Sequence, residues 1–297
     1  VAGMDYHIWQ RLAVFGYLAA VALSVAVMLF GREINGSKRW LALGPFSFQP
    51  SEFAKVALIL FLADLVTKNV KTIGKMWTLC RIMFWILPIV GLVGASNLST
   101  AIIILGIGVI LIFVASPKYV QFALMGIAGA CFMGIFLALE SYRLERLAIW
   151  RNPEKYEKGY QTLQGLYAIG SGGVFGVGIG NSVQKLGFVP EAQNDMIFSI
   201  ICEELGLAGA GIIVFLFLLL IWRFFLIASG SRDLFGALIA TGAMAHMMIQ
   251  VILNIAVVTN TIPNTGITLP FISYGGTSVM FLLIEMGLVL SVSQVVD

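Results

Sequence analysis

The stretch MIFSIICEELGLAGAGIIVFLFLLLIWRFFL, residues 196–226, decides the fold class, because it is long and apolar enough to cross a bilayer as a helix. Hydrophobic residues make up 59% of the 297 residues and charged residues 11%, and the mean hydropathy of +0.96 excludes an ordinary water-soluble domain. Backbone polar groups in lipid must be satisfied within the segment, which favours helices, and no alternating ten-residue pattern indicates a barrel. Seven further apolar runs lie near 11–30, 52–67, 76–95, 99–115, 119–139, 234–259 and 271–295. The sequence therefore predicts an all-α polytopic membrane bundle with eight transmembrane helices, forming one domain over 1–297.

The distribution of Lys and Arg predicts how these helices are oriented. Loops on one side of the predicted bundle carry Lys68, Lys71, Lys75, Arg81, Lys118, Arg223 and Arg232, and the positive-inside bias assigns them to the cytoplasm. The segments 32–50, 140–194 and 260–270 then lie outside, and 140–194 is predicted to be one long extracytoplasmic loop. Long loops translocate regardless of charge, but the cations at Lys38 and Arg39 also suit an anionic lipid headgroup.

Asp195 is the leading candidate for chemistry, since it is a lone carboxylate where a polar loop meets the apolar run at 196–226. The loop GIGNSVQKLG, residues 178–187, lets backbone approach a ligand closely and adds the positive charge of Lys185. An acid in this position suits a lipid-borne substrate. The alternative interpretation is a helix-capping acid that is favoured by the helix dipole.

Ionisable and polar residues within the apolar runs are costly and form the second set of candidates. Glu52 and Lys55 stand three apart on one helix face and can pair, either as a structural element or as part of a site. A polar stripe at four-residue spacing is predicted to make interhelical hydrogen bonds, and it consists of His246, Gln250 and Asn254. Three further acids are predicted to be supporting or packing partners, namely Glu203, Glu204 and Glu285.

Several classes of site are excluded by spacing. The cysteines Cys80, Cys131 and Cys202 form neither a disulfide framework nor a metal set, and the two histidines give no zinc pattern. No nucleotide-binding loop of the GxxxxGK type occurs. The glycines at 170–180 are not a dinucleotide site, because no strand precedes them.

Three blocks of the sequence resemble the SEDS family (shape, elongation, division and sporulation), which includes FtsW, RodA and SpoVE. The blocks are NGSKRWLALGPFSFQPSEFAKVALIL (35–60), GNSVQKLGFVPEAQNDMIFSIICEELG (180–206) and NIAVVTNTIPNTGITLPFISYGGTS (254–278). The resemblance covers essentially the whole chain and is closer to the FtsW and SpoVE branch. It implies ten transmembrane helices, of which the first two would precede residue 1. One departure is Asn97, which stands where the family commonly has the acid of a QPDLGTA-like block.

The resemblance implies a peptidoglycan glycosyltransferase of the bacterial cytoplasmic (inner) membrane, with its active site facing outside. Such an enzyme polymerises lipid II while undecaprenyl pyrophosphate leaves. Asp195 would be the general base, and Lys38, Arg39 and Lys185 would steady the pyrophosphate. Glu52 and Lys55 match the family's PSExxK positions and would shape the cavity under the headgroup. The remaining predicted substrate-binding residues are Gln184, Glu191, Ser273, Tyr274, Gly275 and Gly276.

The predicted partners follow from the same resemblance. They are lipid II, a class B penicillin-binding protein transpeptidase and other membrane proteins of the divisome or elongasome, with no nucleic acid. No cofactor is required by the residues themselves, and no metal-ligating set is predicted, although a divalent cation such as Mg²⁺ or Mn²⁺ remains open. Two alternatives are a flippase that transports a lipid-linked precursor and a non-catalytic scaffold for the penicillin-binding protein.

Overall fold

The computed structural model describes residues 1–34, 37–43, 46–123, 126 and 147–295. Its long elements are α1 (His7–Phe30), β1 (Arg32–Ile34), β2 (Ser37–Leu43), β3 (Phe46–Phe48), α2 (Pro50–Asn69), α3 (Met76–Ser96), α4 (Leu98–Ala115), α5 (Tyr160–Gly172), α6 (Ile197–Gly230), α7 (Leu234–Val258) and α8 (Gly276–Ser293). The fold is a helical membrane protein, as predicted.

Six helices within the described ranges are long and apolar enough to cross a membrane, namely α1, α3, α4, α6, α7 and α8. A seventh predicted span corresponds to α2, which has 20 residues but is less apolar because charged side chains interrupt it. The predicted run 119–139 falls largely outside the described residues. The side of the membrane on which each loop lies stays a prediction.

Helix α2 is buried along most of its length, which explains how it tolerates charges. It packs against α1, α3, α4 and α8. Aromatic side chains join these helices: the rings of Tyr17 and Phe61 stack with centroids 4.3 Å apart, and the Tyr17 hydroxyl donates to the Trp85 carbonyl at 2.7 Å. A helix enclosed by other helices faces protein rather than lipid, so its polar side chains can find partners.

Within the segment 32–50, which was predicted only as an external loop, β1, β2 and β3 form a small antiparallel sheet in that order. Arg32 pairs with Trp40, and Leu41 pairs with Phe48. The sequence cue was the Asn35-Gly36 dipeptide, a strong hairpin signal between short strands. The strands are too short to stand out in a chain dominated by apolar helical runs.

Helix α6 is broken at Gly206, whose φ of 66° and ψ of −169° are not helical. The segment 173–178 crosses the break and takes up the freed backbone groups. Val177 N–H donates to the Glu203 carbonyl at 3.0 Å, and Leu207 N–H donates to the Gly173 carbonyl at 2.9 Å. Gly178 N–H donates to the Glu204 carbonyl, and Ala208 N–H donates to the Val174 carbonyl, each at 3.0 Å. The break is therefore satisfied internally, as backbone at membrane depth requires.

The chain divides into two compact units. The first unit comprises Val1–Tyr119, Leu220–Ile249 and Gly275–Asp297, and the second comprises Val120–Leu219 and Gln250–Tyr274. The described part of the predicted loop 140–194 belongs to the second unit and contains helix α5. A single membrane domain over 1–297 stays a prediction.

Candidate active site at Asp195

Asp195 lies two residues before α6 and is 9% exposed. Its Oδ1 accepts a hydrogen bond from Gln161 Nε2, in α5, at 3.3 Å. Gln161 is oriented in turn by Asn264, whose Nδ2 donates to Gln161 Oε1 at 3.1 Å. This chain of amides fixes the carboxylate from two other segments of the second unit.

The backbone of Asp195 is anchored by Asn254 in α7. The Nδ2 atom of Asn254 donates to the Asp195 carbonyl at 2.9 Å and to the Ile267 carbonyl at 2.7 Å. Gly266 has a φ of 65°, and a Cβ added there would lie 3.6 Å from Asp195 Oδ2. Gly266 therefore lies directly beside the carboxylate.

Burial raises the pKa of Asp195 to about 6, and the nearby negative charge of Glu191 contributes in the same direction. The residue's own backbone N–H and the hydrogen bond from Gln161 act the other way, because they stabilise the carboxylate. No Lys or Arg among the described residues forms an ion pair with it. A carboxylate of this kind is mostly ionised at neutral pH and can still accept a proton with useful driving force.

The helix-capping interpretation of Asp195 has no support in this geometry. Within the described part of the chain, no backbone N–H of the first turn of α6 donates to the Asp195 carboxylate. A capping acid would accept such a bond from the second or third residue of the helix.

The block around Ser273 holds the backbone next to Asp195. Ser273 Oγ donates to the Asn194 carbonyl at 2.6 Å and accepts from Leu269 N–H at 2.7 Å. Tyr274 N–H donates to the Gln193 carbonyl at 2.9 Å, while the Tyr274 residue is 75% exposed. These two predicted substrate-binding residues thus position Gln193 and Asn194, which directly precede Asp195.

The glycines after Tyr274 belong to the first unit, where Gly276 begins α8. A Cβ added to Gly275 would meet Ser278 Cβ at 3.6 Å, and one added to Gly276 would meet nothing within 4 Å. Gly276 therefore has open space where a side chain would stand, and substrate binding by the two glycines stays a prediction.

The predicted cation Lys185 is paired with Glu204, since Lys185 Nζ lies 2.6 Å from Glu204 Oε1. The adjacent Glu203 accepts hydrogen bonds from the Ser182 hydroxyl, from Val183 N–H at 3.1 Å and from Gln184 N–H at 3.5 Å. The two glutamates at the break in α6 therefore hold the loop 181–185 in place, as supporting partners. The other predicted acid, Glu191, accepts a hydrogen bond from Asn194 Nδ2.

The remaining predicted residues lie in the first unit. Arg39 Nε donates to the Ser96 carbonyl at 3.1 Å and lines a small cleft with Ser51 and Asn97. Asn97 caps α4 by accepting from Thr100 N–H at 3.2 Å. The side chain of Lys38 lies outside the described residues.

The predicted pair of Glu52 and Lys55 is present, with Oε1 and Nζ 2.9 Å apart and both side chains buried. A second buried pair joins α7 to α8, since His246 Nδ1 lies 2.7 Å from Glu285 Oε2. Interhelical bonding is thereby confirmed for His246.

The other two residues of the polar stripe behave differently. Gln250 Nε2 donates to the Thr268 carbonyl at 3.0 Å, and Asn254 reaches the two carbonyls described above. Both therefore bind loop backbone through these bonds, and helix-to-helix bonding stays a prediction for them. Spacing indicates that side chains share a face, but it does not identify their partners.

Sequence reasoning missed Gln161 and Asn264, which orient Asp195. Neither residue stands in an unusual context, because polar amides are ordinary in loops. Their contact joins positions 103 residues apart in the chain. The one available cue was that Asn264 lies inside the third family-like block.

A metal centre finds no support among the residues that the structure describes, where no group of three or more His, Cys, Asp or Glu side chains could hold an ion. The side chains around Asp195 are mostly amides, which are weak ligands for a divalent cation compared with carboxylates.

Comparisons with known protein sequences cover the chain from end to end. The family model for FtsW, RodA and SpoVE, described as "Cell cycle protein", matches residues 1–297. Stage V sporulation protein E of Bacillus subtilis (strain 168) is 39% identical, over 99% of this chain and 82% of that protein. The probable peptidoglycan glycosyltransferase FtsW of Coxiella burnetii (strain RSA 493 / Nine Mile phase I) is 37% identical, over 96% of this chain and 79% of that protein.

Solved structures show the same fold. A chain from a study of polymerization and crosslinking by a peptidoglycan synthase complex matches with a TM-score of 0.83 and 29% identity, covering 99% of this chain and 84% of that one. The rod shape determining protein RodA of Thermus thermophilus matches with a TM-score of 0.70 and 28% identity, covering 98% and 80%. The likeness therefore extends over nearly the whole chain in both sequence and structure.

Proposed function

The chain belongs to the FtsW/RodA/SpoVE family of cell cycle proteins, and from this premise we propose that it is a membrane-embedded peptidoglycan glycosyltransferase. FtsW relatives carry that activity in their names. The observation that carries the proposal is Asp195, a buried carboxylate with a pKa of about 6 that Gln161 and the backbone of its own segment hold in place.

The proposed reaction is the polymerisation of lipid II. A sugar hydroxyl of the acceptor attacks the anomeric carbon of the donor, a new glycosidic C–O bond forms, and the bond from that carbon to pyrophosphate breaks. Undecaprenyl pyrophosphate leaves with the bonding electron pair. Asp195 takes the proton of the attacking hydroxyl as general base, and its raised pKa suits that role near neutral pH.

The leaving pyrophosphate requires positive charge, which Lys185 can supply in the second unit, while the same role for Lys38 and Arg39 of the first unit rests on the family resemblance alone. Lys185 is bound to Glu204, so contact with a phosphate requires it to exchange or share that partner. A divalent cation such as Mg²⁺ or Mn²⁺ would add charge at the same place. Such an ion would take its ligands chiefly from the phosphates and water, as Mg²⁺ commonly does, because the described residues offer no ligand cluster.

The site faces the outside of the inner membrane in this proposal, where lipid-linked sugars are available for polymerisation. The positive-inside bias of the short loops supports that orientation. A class B penicillin-binding protein is the proposed partner, together with further divisome or elongasome proteins. Its support is the likeness to a chain of a solved peptidoglycan synthase complex.

The deciding experiment reconstitutes the full-length protein in liposomes with lipid II and follows glycan polymer length on gels. A glycosyltransferase makes polymer, and Asp195→Asn abolishes most of it. The matched control is Glu154→Gln, which neutralises an exposed carboxylate of the same unit and should leave polymerisation unchanged. Movement of labelled lipid II without polymer would favour the flippase, and neither activity would favour the scaffold.

A further inference from the structure

The two segments of the second unit that carry Gln161 and Asn264 are joined by a further contact. Trp150 Nε1 donates to the Asn260 carbonyl at 2.9 Å, and Asn260 Nδ2 donates to the Trp150 carbonyl at 3.3 Å. The bonds are reciprocal, because each residue contributes one side-chain donor and one backbone acceptor. The contact joins positions 110 residues apart in the chain, and we call it the Trp150–Asn260 clasp.

Asn260 ends α7 with a φ of 54°, in the left-handed region that favours glycine. Its N–H donates to the Val257 carbonyl at 2.9 Å. The next N–H, of Thr261, donates to the Ala256 carbonyl at 2.8 Å, which completes the Schellman pattern of a helix end. Glycine would make the same turn without steric cost, but it has no amide to donate to Trp150. The clasp therefore gives asparagine a use at this turn that glycine could not have.

A compact connection leads from Trp150 to Gln161. Two short 3-10 turns lie within residues 153–159 and pack against α5. A Cβ added to Gly159 would lie 2.1 Å from the Pro153 carbonyl oxygen, so the chain folds back tightly on itself there. Gln161 follows as the second residue of α5. The connection therefore leaves little freedom between Trp150 and Gln161.

A similarly short connection leads from Asn260 to Asn264. The two residues are four positions apart, and Pro263 between them has a fixed φ. Asn264 Oδ1 accepts from Gly266 N–H at 3.2 Å, while its Nδ2 donates to Gln161 Oε1 at 3.1 Å. The clasp and the bond from Asn264 to Gln161 thus join the same two segments at two points. Two points fix the relative position of the segments, whereas one would allow rotation.

We propose that the Trp150–Asn260 clasp is a positioning element for the reaction, because it holds Gln161 where it donates to the Asp195 carboxylate. The inference rests on the proposed function, since it assigns an indirect role in the same reaction. Among the described residues, neither member of the clasp donates to the Asp195 carboxylate. Trp150 and Asn260 are therefore positioning residues that act through Gln161.

Loosening the clasp should change a quantity that a purely structural contact would not change. The hydrogen bond from Gln161 lowers the pKa of Asp195, because it stabilises the carboxylate. A less well held Gln161 donates more weakly, so the pKa rises and the acidic limb of kcat/KM moves to higher pH. We also expect kcat to fall by about tenfold with KM for lipid II little changed, since a misplacement of about 1 Å can cost about 10²-fold.

The two bonds of the clasp can be removed one at a time. Trp150→Phe removes the indole N–H and keeps an aromatic ring. Asn260→Gly removes the amide and keeps the left-handed turn, so it should fold. Each single variant should move the acidic limb to higher pH, and the double variant should move it further. Trp77→Phe is the matched control and should leave the limb in place, because Trp77 is 82% exposed and lies in α3 of the first unit.

A double-mutant cycle tests the route through Gln161. In the Gln161→Leu background the hydrogen bond to Asp195 is already absent, so Trp150→Phe should move the limb no further. A shift of undiminished size in that background would overturn the proposal, since the clasp would then act on Asp195 by another route. A lower rate at every pH without a shift in any clasp variant would overturn it too, by showing that the clasp only stabilises the fold.

A measurement without turnover separates the clasp from the proposed function. Infrared difference spectra in detergent follow the protonated carboxyl band that Asp195→Asn removes, and its titration gives the pKa of Asp195. We expect a midpoint of about 6 in the wild type and a higher midpoint in the clasp variants. If the wild type makes no polymer while these shifts are present, the proposed function fails and the positioning of Asp195 stands. Polymer synthesis with unchanged midpoints in the clasp variants would overturn the clasp assignment alone.

Discussion

The two units of this protein treat buried charge in opposite ways. In the first unit, Glu52 is 2.9 Å from Lys55, and His246 is 2.7 Å from Glu285, so each buried acid has a basic partner. In the second unit, Asp195 is also buried, but its carboxylate accepts a hydrogen bond from the neutral amide of Gln161. A paired charge stabilises a particular packing and has little chemistry left to offer. At Asp195, burial with a neutral partner raises the pKa to about 6, so this carboxylate can exchange a proton near the working pH.

The largest expected effect comes from removing the unpaired acid of this comparison, Asp195. Asp195→Asn keeps the size of the side chain and abolishes proton acceptance, so we expect polymerisation to fall by about 10²–10⁴-fold while insertion and folding persist. Initial rates of glycan synthesis and elution in detergent measure the two quantities. Activity near the wild-type level would remove Asp195 from the mechanism.

The second prediction concerns the buried pair of Glu52 and Lys55 in the first unit. Lys55→Ala leaves Glu52 buried without its cation, and the free energy of unfolding should fall by about 3–5 kcal/mol. The double variant Glu52→Gln with Lys55→Met should recover much of that loss, as thermal unfolding in detergent would show.

Lys68→Ala is the matched control for that experiment. Its pair with Asp64 lies on the same helix at 2.6 Å, but the Lys68 side chain is 64% exposed. The Lys68 ammonium is largely solvated and Asp64 also accepts a hydrogen bond from Gln10 Nε2 at 2.9 Å, so the loss of Lys68 should cost less than the loss of the fully buried Lys55. If Lys55→Ala lowers the free energy of unfolding no more than Lys68→Ala does, the buried pair does not contribute to stability.

The third prediction concerns the cations assigned to the pyrophosphate. Arg39→Ala should raise KM for lipid II by about tenfold or more, because charge-assisted hydrogen bonds contribute roughly 1.5–3 kcal/mol. Arg39→Lys should restore only part of the loss, since lysine lacks the bidentate fork. Lys155→Ala, at an exposed position, should change KM little. If Arg39→Ala and Lys155→Ala change KM for lipid II equally little, these cations are solvated surface charges that do not bind the pyrophosphate.

The smallest predicted effects are shifts of the pH profile, and they have opposite signs. A general base acts as its carboxylate, so the rate is full above the pKa of Asp195 and is lost as pH falls through about 6. Gln161→Leu removes a hydrogen bond that lowers this pKa, so the acidic limb should move to higher pH. Glu191→Gln removes a like charge that raises the pKa, so the limb should move to lower pH.

Profiles of kcat/KM from pH 5 to 8 would measure both shifts. A purely structural role for Gln161 would lower the rate at every pH without moving the limb. Shifts of the same sign in both variants would contradict the assignment of the limb to Asp195.

Much of the fold could be predicted from the sequence, because apolar runs of membrane length have few alternative structures. The runs 196–226 and 234–259 correspond closely to α6 and α7. The last run began too early, since residues 271–275 form a turn that holds the backbone beside Asp195. Asp195 was predicted because a lone acid at such a boundary is conspicuous, and its catalytic role stays a prediction.

The environment of Asp195 could not be predicted in the same way. Its orientation depends on Gln161 and Asn264, which are distant in the chain and ordinary in composition. The pairing of Lys185 with Glu204 was also not foreseen, because the break in α6 that brings them together depends on backbone geometry at Gly206.

The break at Gly206 also has a consequence for how the protein is made. A segment entering the bilayer as one continuous span satisfies its own backbone, whereas the two halves of α6 depend on residues 173–178 for four hydrogen bonds. The bonded groups lie about 30 residues apart in the chain, so closing this connection costs entropy. Each backbone group left without a partner in lipid costs several kcal/mol. We therefore expect this region to fold cooperatively: the loop that carries Lys185 and the part of α6 before Gly206 become ordered together.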